Sequence, residues 1–193
     1  MMLAMIFVMV PRAQASAKRI NEILEEEVDV LDPVEPQVVT RQGAEATLSF
    51  NQVDYRYDGA EKRTLEDVSF EATSGQMVAI IGGTGSGKTT LVNLIPRLYD
   101  IESGEIKLNG KNITQLTQKN VRELIGFGPQ KAVLFSGTIR QNMQYGNQHA
   151  TDEEIWQALR TAQAEEFVAS LPDGLDSRVE QGGGNFSGGQ KQR

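Results

Sequence analysis

The rhythm of apolar and polar positions changes several times along this chain. Met1 to Val10 is wholly apolar, and Ala13, Ala17, Ile20 and Ile23 or Leu24 continue at helical spacing. Spanning a bilayer takes about 20 apolar residues. The opening run is therefore half a membrane helix, a buried segment or the apolar part of a signal peptide. No Lys or Arg precedes it, and Pro11 and Arg12 interrupt the approach to the small residues Ala13-Gln14-Ala15-Ser16-Ala17, which argues against a signal peptide. Arg12, Lys18 and Arg19 suit the cytoplasmic end of a membrane helix. Residues 1–28 are read as the last turns of a transmembrane helix running into the cytosol; a buried soluble helix is the competing reading. Residues 29–46 carry Pro33, Pro36, mixed charges and no apolar period, as a linker does.

From Thr47 the pattern becomes that of strands, and 47–193 is read as one domain. Leu48, Phe50, Val53, Tyr55 and Tyr57 largely alternate; Leu65, Val68 and Phe70 form a second run, closed by a Ser74-Gly75 turn. Met77-Val78-Ala79-Ile80-Ile81 predicts a short buried strand, and Thr90 to Ile95 a helix. Ser103-Gly104 and Asn109-Gly110 bracket Glu105 to Leu108 as in a hairpin. Ile155, Leu159 and Ala162 give a helical face with Trp156 beside it, and Thr151 or Asp152 can cap that helix.

Between the predicted strand at 77–81 and the predicted helix stands Gly82-Gly83-Thr84-Gly85-Ser86-Gly87-Lys88-Thr89, which fits G-x-x-x-x-G-K-[ST] at every required position. A strand feeding a glycine loop feeding a helix aims backbone N–H groups and the positive end of the helix dipole at one point. Glycines let the chain approach phosphate oxygens where a Cβ would collide. Lys88 is placed to reach β- and γ-phosphates, and the Thr89 hydroxyl to ligate Mg²⁺.

Composition narrows this only slightly. The 193 residues are 39% hydrophobic and 23% charged, ordinary for a globular chain. A net charge of −7 argues against a general nucleic-acid grip. The absence of cysteine removes disulfides and thiolate metal sites, and with His149 as the single histidine a multi-histidine site within one chain is impossible. Glu25-Glu26-Glu27 reads as a solvated helix end, and Trp156 as helix packing.

The chain ends Phe186-Ser187-Gly188-Gly189-Gln190-Lys191-Gln192-Arg193. Following a phosphate loop at this distance, Phe186 to Gln190 resembles the signature of the ATP-binding cassette family, with Phe where Leu is commoner. More narrowly, the whole chain resembles exporters that fuse a membrane domain ahead of the cassette. Pro11 to Ile20 resembles the end of their sixth membrane helix.

The resemblance implies an α/β fold: a P-loop nucleotide-binding domain with an antiparallel β subdomain, preceded by the end of a transmembrane helix. It implies ATP and Mg²⁺ as ligands. Residues 82–90 (Gly82, Gly83, Thr84, Gly85, Ser86, Gly87, Lys88, Thr89, Thr90) would hold the phosphates, and Tyr57 would stack on adenine. Gln130, in Gly126-Phe127-Gly128-Pro129-Gln130, matches the glutamine that senses Mg²⁺ and the γ-phosphate, so Lys88 and Gln130 are the catalytic assignments and Thr89 and Gln130 the metal ones. Ala132 to Arg140 resembles the surface that docks the membrane domain's coupling helices. Ser187, Gly188, Gly189 and Gln190 would clamp the nucleotide of a second cassette. Glu180-Gln181-Gly182-Gly183 departs from the common Gly-Glu-Arg-Gly, a form similar to that of bacterial exporters that often work as heterodimers. The implied partners are that second cassette, the coupling helices and the bilayer, not nucleic acid. The implied location is the cell membrane, with the cassette on its cytoplasmic side.

Hydrolysis in this family also uses an apolar strand ending in Asp-Glu and a later histidine. No such strand lies between Thr90 and Arg193; Leu94 to Asp100 is the nearest imitation, and Pro96 and Arg97 disqualify it as a buried strand. The family's histidine lies well beyond the signature, so His149 is not its counterpart. The chain is accordingly read as a fragment, truncated at both ends and after the signature, that binds ATP without turning it over and whose independent stability is in doubt. The competing class is a soluble cassette ATPase of DNA repair or translation, or a stand-alone nucleotide-binding module.

Overall fold

A computed structural model describes residues 2–40 and 46–193, with only the helical backbone for 2–8. The linker assigned to 29–46 thus includes five residues, 41–45, outside the described ones. The chain forms two compact units, Met1–Gly126 and Phe127–Arg193.

The first unit opens with helix α1 (Met2–Leu24), which contains Pro11. Its Met9, Ile20, Ile23 and Leu24 are exposed. No helix among the described residues is long and apolar enough to cross a membrane. Strand β1 (Thr47–Tyr55) pairs antiparallel with β2 (Leu65–Thr73) on one side and β3 (Ser103–Leu108) on the other, and β4 (Lys111–Asn112) extends the sheet beyond β3.

The apolar positions of β1 step by two, then by three between Phe50 and Val53. That step is where the strand bulges: the register with both neighbours shifts there, and Gln52 takes a φ of 48°. The bulge returns Val53 and Tyr55 to the face already occupied by Phe50, and all three are buried. Asn109 and Gly110 both have positive φ, 50° and 77°, the geometry a two-residue hairpin needs between β3 and β4. Phe50 stacks on Phe70 with ring centroids 4.6 Å apart. Leu94, Ile106, Leu116 and Val121 complete the centre of this core.

The segment after α1 is tied down rather than loose. Asn120, on α3 (Gln118–Glu123), clamps both the N–H and the carbonyl of Val39 at 2.9 Å each. Gln118 donates from its backbone to Asp32 and from its amide to the Val30 carbonyl. Arg97, buried and at a φ of 52°, donates to both carboxylate oxygens of Asp100 and to the carbonyls of Leu31 and Leu116. A buried guanidinium needs such partners for its donors.

One expectation fails outright. Met77 to Ile81 forms no strand, and Met77 and Ile81 are 97% and 93% exposed. A buried strand needs ladder partners and covered faces. Among the described residues no strand pairs with this segment, so its apolar character alone does not make it one.

The second unit holds β5 (Gly137–Thr138) paired with β6 (Arg178–Val179), and helices α4 (Ile139–Gln144), α5 (Asp152–Thr161), α6 (Glu165–Ala169) and α7 (Gly188–Gln192). Its core gathers Ile139, Ile155, Leu159, Val168, Leu175 and Val179, with Trp156 packed at its edge. Thr151 caps α5 in a reciprocal box with Glu154: the Glu154 N–H donates to Thr151 Oγ1, and the Thr151 N–H to Glu154 Oε2. Thr151→Ala is expected to destabilise this unit by about 1 kcal/mol, and Thr151→Ser to leave it nearly unchanged. Denaturant midpoints for the two variants check this; equal shifts would remove the cap's role.

Candidate nucleotide site

The glycine loop turns where its sequence permits. Gly85 and Gly87 take φ values of 82° and 83°, left-handed conformations that cost glycine little. Gly87 is the N-cap of helix α2 (Lys88–Leu94), which begins two residues earlier than the apolar pattern suggests. A Cβ on Gly87 would lie 2.8 Å from Leu65 Cδ2, so the loop also presses against β2. Lys88 curls back: its ammonium donates to the carbonyls of Gly82 and Gly83 at 2.8 and 2.6 Å and to Ser86 Oγ at 3.2 Å. Ser86 Oγ in turn donates to the Gly83 carbonyl. The three donors of the ammonium are thus aimed along the inside of the loop, and phosphate oxygens can replace these partners in the same direction.

A cavity of about 270 Å³ adjoins the loop, lined by Thr64, Gly85, Ser86, Gly87, Lys88, Thr89 and Thr90. Among the described residues, no carboxylate or imidazole lines it. Thr89 is exposed and Thr90 buried. Among the described residues no group of His, Cys, Asp or Glu is arranged to hold a metal ion. Mg²⁺ in nucleotide sites needs no such cage, since it takes phosphate oxygens, waters and one or two protein oxygens. The exposed Thr89 hydroxyl at the cavity fits that demand.

Tyr57 lies just past the end of β1. Its hydroxyl shares a 3.0 Å hydrogen bond with the Thr90 hydroxyl, which ties the ring to the first turn of α2. Tyr57 meets Tyr55 and Tyr99 edge-on, at centroid distances of 5.0 and 5.5 Å. The three tyrosines line a cleft of about 380 Å³ that also touches Asp29, Arg56, Asp58, Gly59, Asp100 and Glu102. Burial, with the neighbouring Tyr57, Tyr99 and Asp29, pushes the Tyr55 hydroxyl up to about 12, so it stays neutral at physiological pH. The cleft joins Tyr57 to Tyr99 and Asp29, which sequence reasoning does not assign. Tyr99 is delivered by the turn at Arg97, and Asp29 by the docked segment; neither carries a local signal.

The remaining assigned residues lie in the second unit. Gln130 is exposed on a bend. Downstream, Phe135 and Tyr145 pack together at 4.8 Å, and with Val133 they are exposed. Asn142 holds this surface by accepting from the Phe135 N–H and donating to the carbonyls of Phe135 and Thr138. Arg140 bridges Asp176 and Asp152, which holds its guanidinium well above the usual arginine value and depresses the Asp176 carboxyl. Phe186 packs edge-on against Phe167 at 5.6 Å, so the aromatic in the leucine position does serve as an apolar anchor. Ser187 caps α7, accepting from the Gln190 N–H at 3.3 Å, while Gln190 Oε1 accepts from the Ser187 N–H. That use of Ser187 Oγ as an acceptor leaves its O–H free to donate. Gly188 and Gly189 have ordinary φ, and a Cβ on either would meet nothing within 4 Å. Nothing among the described residues demands glycine at these two positions.

Known proteins resemble this chain over most of its length. The family profile described as ABC transporter matches residues 65–193. An uncharacterised ABC transporter ATP-binding protein of Mycobacterium bovis is 41% identical over 196 residues, covering 100% of this chain and 33% of the relative. A probable multidrug resistance ABC transporter ATP-binding/permease protein of Bacillus subtilis is 41% identical over 182 residues, 94% of this chain and 31% of that protein. The solved structure of a bacterial Atm1-family ABC exporter with ATP bound superposes with a TM-score of 0.82 at 33% identity, over 98% of this chain and 33% of that one. The chain spans about a third of the length of the relatives it matches.

Proposed function

The chain belongs to the ABC transporter family, and from that premise we propose that it is the nucleotide-binding part of an ATP-driven exporter. The loop at Gly82–Thr89 carries this reading: its left-handed glycines and inward-turned Lys88 form a phosphate grip beside a tyrosine-lined cleft of a size to take a base. In this reading Lys88 and the loop N–H groups bind the β- and γ-phosphates, and Thr89 holds Mg²⁺, which when bound neutralises phosphate charge. Thr90 orients Tyr57 through their shared hydrogen bond, and the Tyr57 ring stacks on adenine.

Ser187, Gly188, Gly189 and Gln190 face the nucleotide of a second cassette, with Gln130 sensing Mg²⁺ and the γ-phosphate. Two glycines that the chain's own packing does not require support such an external ligand. Residues 132–140, with Tyr145, receive the coupling helices of a membrane domain, which their exposed aromatic surface suits. Residues 1–28 leave the bilayer on the cytoplasmic side. In this reading the chain by itself binds ATP without turnover; among the described residues lining the cavity at the loop, none is a carboxylate or an imidazole.

Tyr57→Ala tests the base cleft. Stacking on a base is worth about 1–3 kcal/mol, so ATP affinity is expected to fall by roughly 5- to 150-fold. Tyr57→Trp keeps a ring and is expected to retain most of it. Titration with ATP labelled on the ribose reads both, and unchanged affinity in Tyr57→Ala would place the base elsewhere.

A further inference from the structure

Four carboxylates line the tyrosine cleft: Asp29, Asp58, Asp100 and Glu102. Three of them are engaged. Asp100 takes two hydrogen bonds from Arg97, Glu102 is bound by Arg56 and Arg63, and Asp58 accepts from the Gly59 N–H of its own turn. Asp29 makes no hydrogen bond or ion pair among the described residues, and its side chain is exposed at the cleft. Yet its position is fixed. The residues that follow it are held by Gln118 at the Val30 carbonyl and the Asp32 carboxylate, and by buried Arg97 at the Leu31 carbonyl. An acceptor at the cleft, held in place and with no partner of its own, is preorganised for a ligand that brings a donor.

We propose that Asp29 is a further nucleotide-binding residue, whose carboxylate accepts a hydrogen bond from the exocyclic amino group of the purine lying in the tyrosine cleft. This rests on the reading that the base occupies that cleft. The segment between α1 and the cassette thereby becomes part of the nucleotide site, because the same docked residues that lead from α1 present the carboxylate.

The test pairs two ligands with substitutions in the full 193-residue chain. The ligands are Mg-ATP and the Mg complex of purine riboside triphosphate, which lacks the exocyclic amine. A hydrogen bond to a charged acceptor at a half-open site should let the wild type prefer ATP by about 5- to 10-fold. Asp29→Ala is expected to lose that preference by weakening ATP alone, and Asp29→Asn, whose amide oxygen still accepts, to keep part of it. The sign is informative. Removing a negative charge near a polyphosphate would, by charge alone, strengthen binding of both ligands. Equal effects on both ligands, or none, overturn the assignment of Asp29. Tyr57→Ala is expected to weaken both ligands alike; if it changes neither, the base-cleft reading itself falls, a result distinct from failure of Asp29 alone.

Discussion

Gly104→Ala is expected to cost about 3 kcal/mol or more, enough to unfold the sheet of the first unit. Gly104 sits at a φ of 87° opposite the bulge of β1, where a Cβ would lie 2.2 Å from the Gln52 carbonyl oxygen and 2.6 Å from that of Asn51. Both obstacles are backbone atoms in a hydrogen-bonded ladder. They can retreat only by breaking the β1–β3 pairing around Asn51↔Glu105 and Asp54↔Ser103. The contacts that cross there would be lost together: Ser103 Oγ donating to Asp54 at 2.6 Å, and the Glu102 N–H donating to the Asp54 carbonyl. Gly110 is the control. It has a similar φ, 77°, but a Cβ there would meet nothing within 4 Å, so Gly110→Ala pays only the conformational cost of about 1–2 kcal/mol. Denaturant unfolding compares them, and equal losses would show that crowding at the bulge is unimportant. Because β1 leads directly to Tyr55 and Tyr57, nucleotide binding should disappear with the sheet.

Lys88→Ala is expected to weaken Mg-ATP binding by about 100-fold while leaving the fold intact. Each charge-assisted hydrogen bond contributes about 1.5–3 kcal/mol, and an ammonium reaching two phosphates loses more than one of them. The fold should persist because the partners of Lys88 here, Gly82, Gly83 and Ser86, are exposed groups that water can satisfy. Lys88→Arg is not expected to rescue, since a planar fork cannot follow the curl of the loop as an ammonium does. Titration with ribose-labelled ATP reads the affinity, and a change within about twofold would mean the loop does not carry the phosphates. Sustained phosphate release by the unaltered chain, abolished in Lys88→Ala, would instead overturn the reading that it binds without turnover.

The features legible in the sequence are those whose causes span a few residues. The glycine loop was readable because its glycines set their own left-handed φ angles. Asn109-Gly110 likewise specifies its hairpin, and Thr151 with Glu154 its helix start. Even the bulge of β1 is written as a three-residue step between apolar positions. The strand expected at 77–81 shows the limit of this reading: its residues have the composition of a buried strand, but burial is conferred by whatever lies alongside. Arg97 shows the complement: with Pro96 it argues against a buried strand over 94–100, and none forms there, yet four acceptors brought by the tertiary structure satisfy its guanidinium inside the unit.

By itself, then, the sequence determined the glycine loop, the turns, the caps and the family, because φ preferences and side-chain caps act within a turn of the chain. The tertiary structure alone decided which groups line the tyrosine cleft. Asp29, Tyr57 and Tyr99 are far apart in sequence and come together only because Arg97, Gln118 and Asn120 dock the segment after α1 onto the unit. Those hydrogen bonds join residues 66 to 88 positions apart, and no local propensity encodes a partner at that distance.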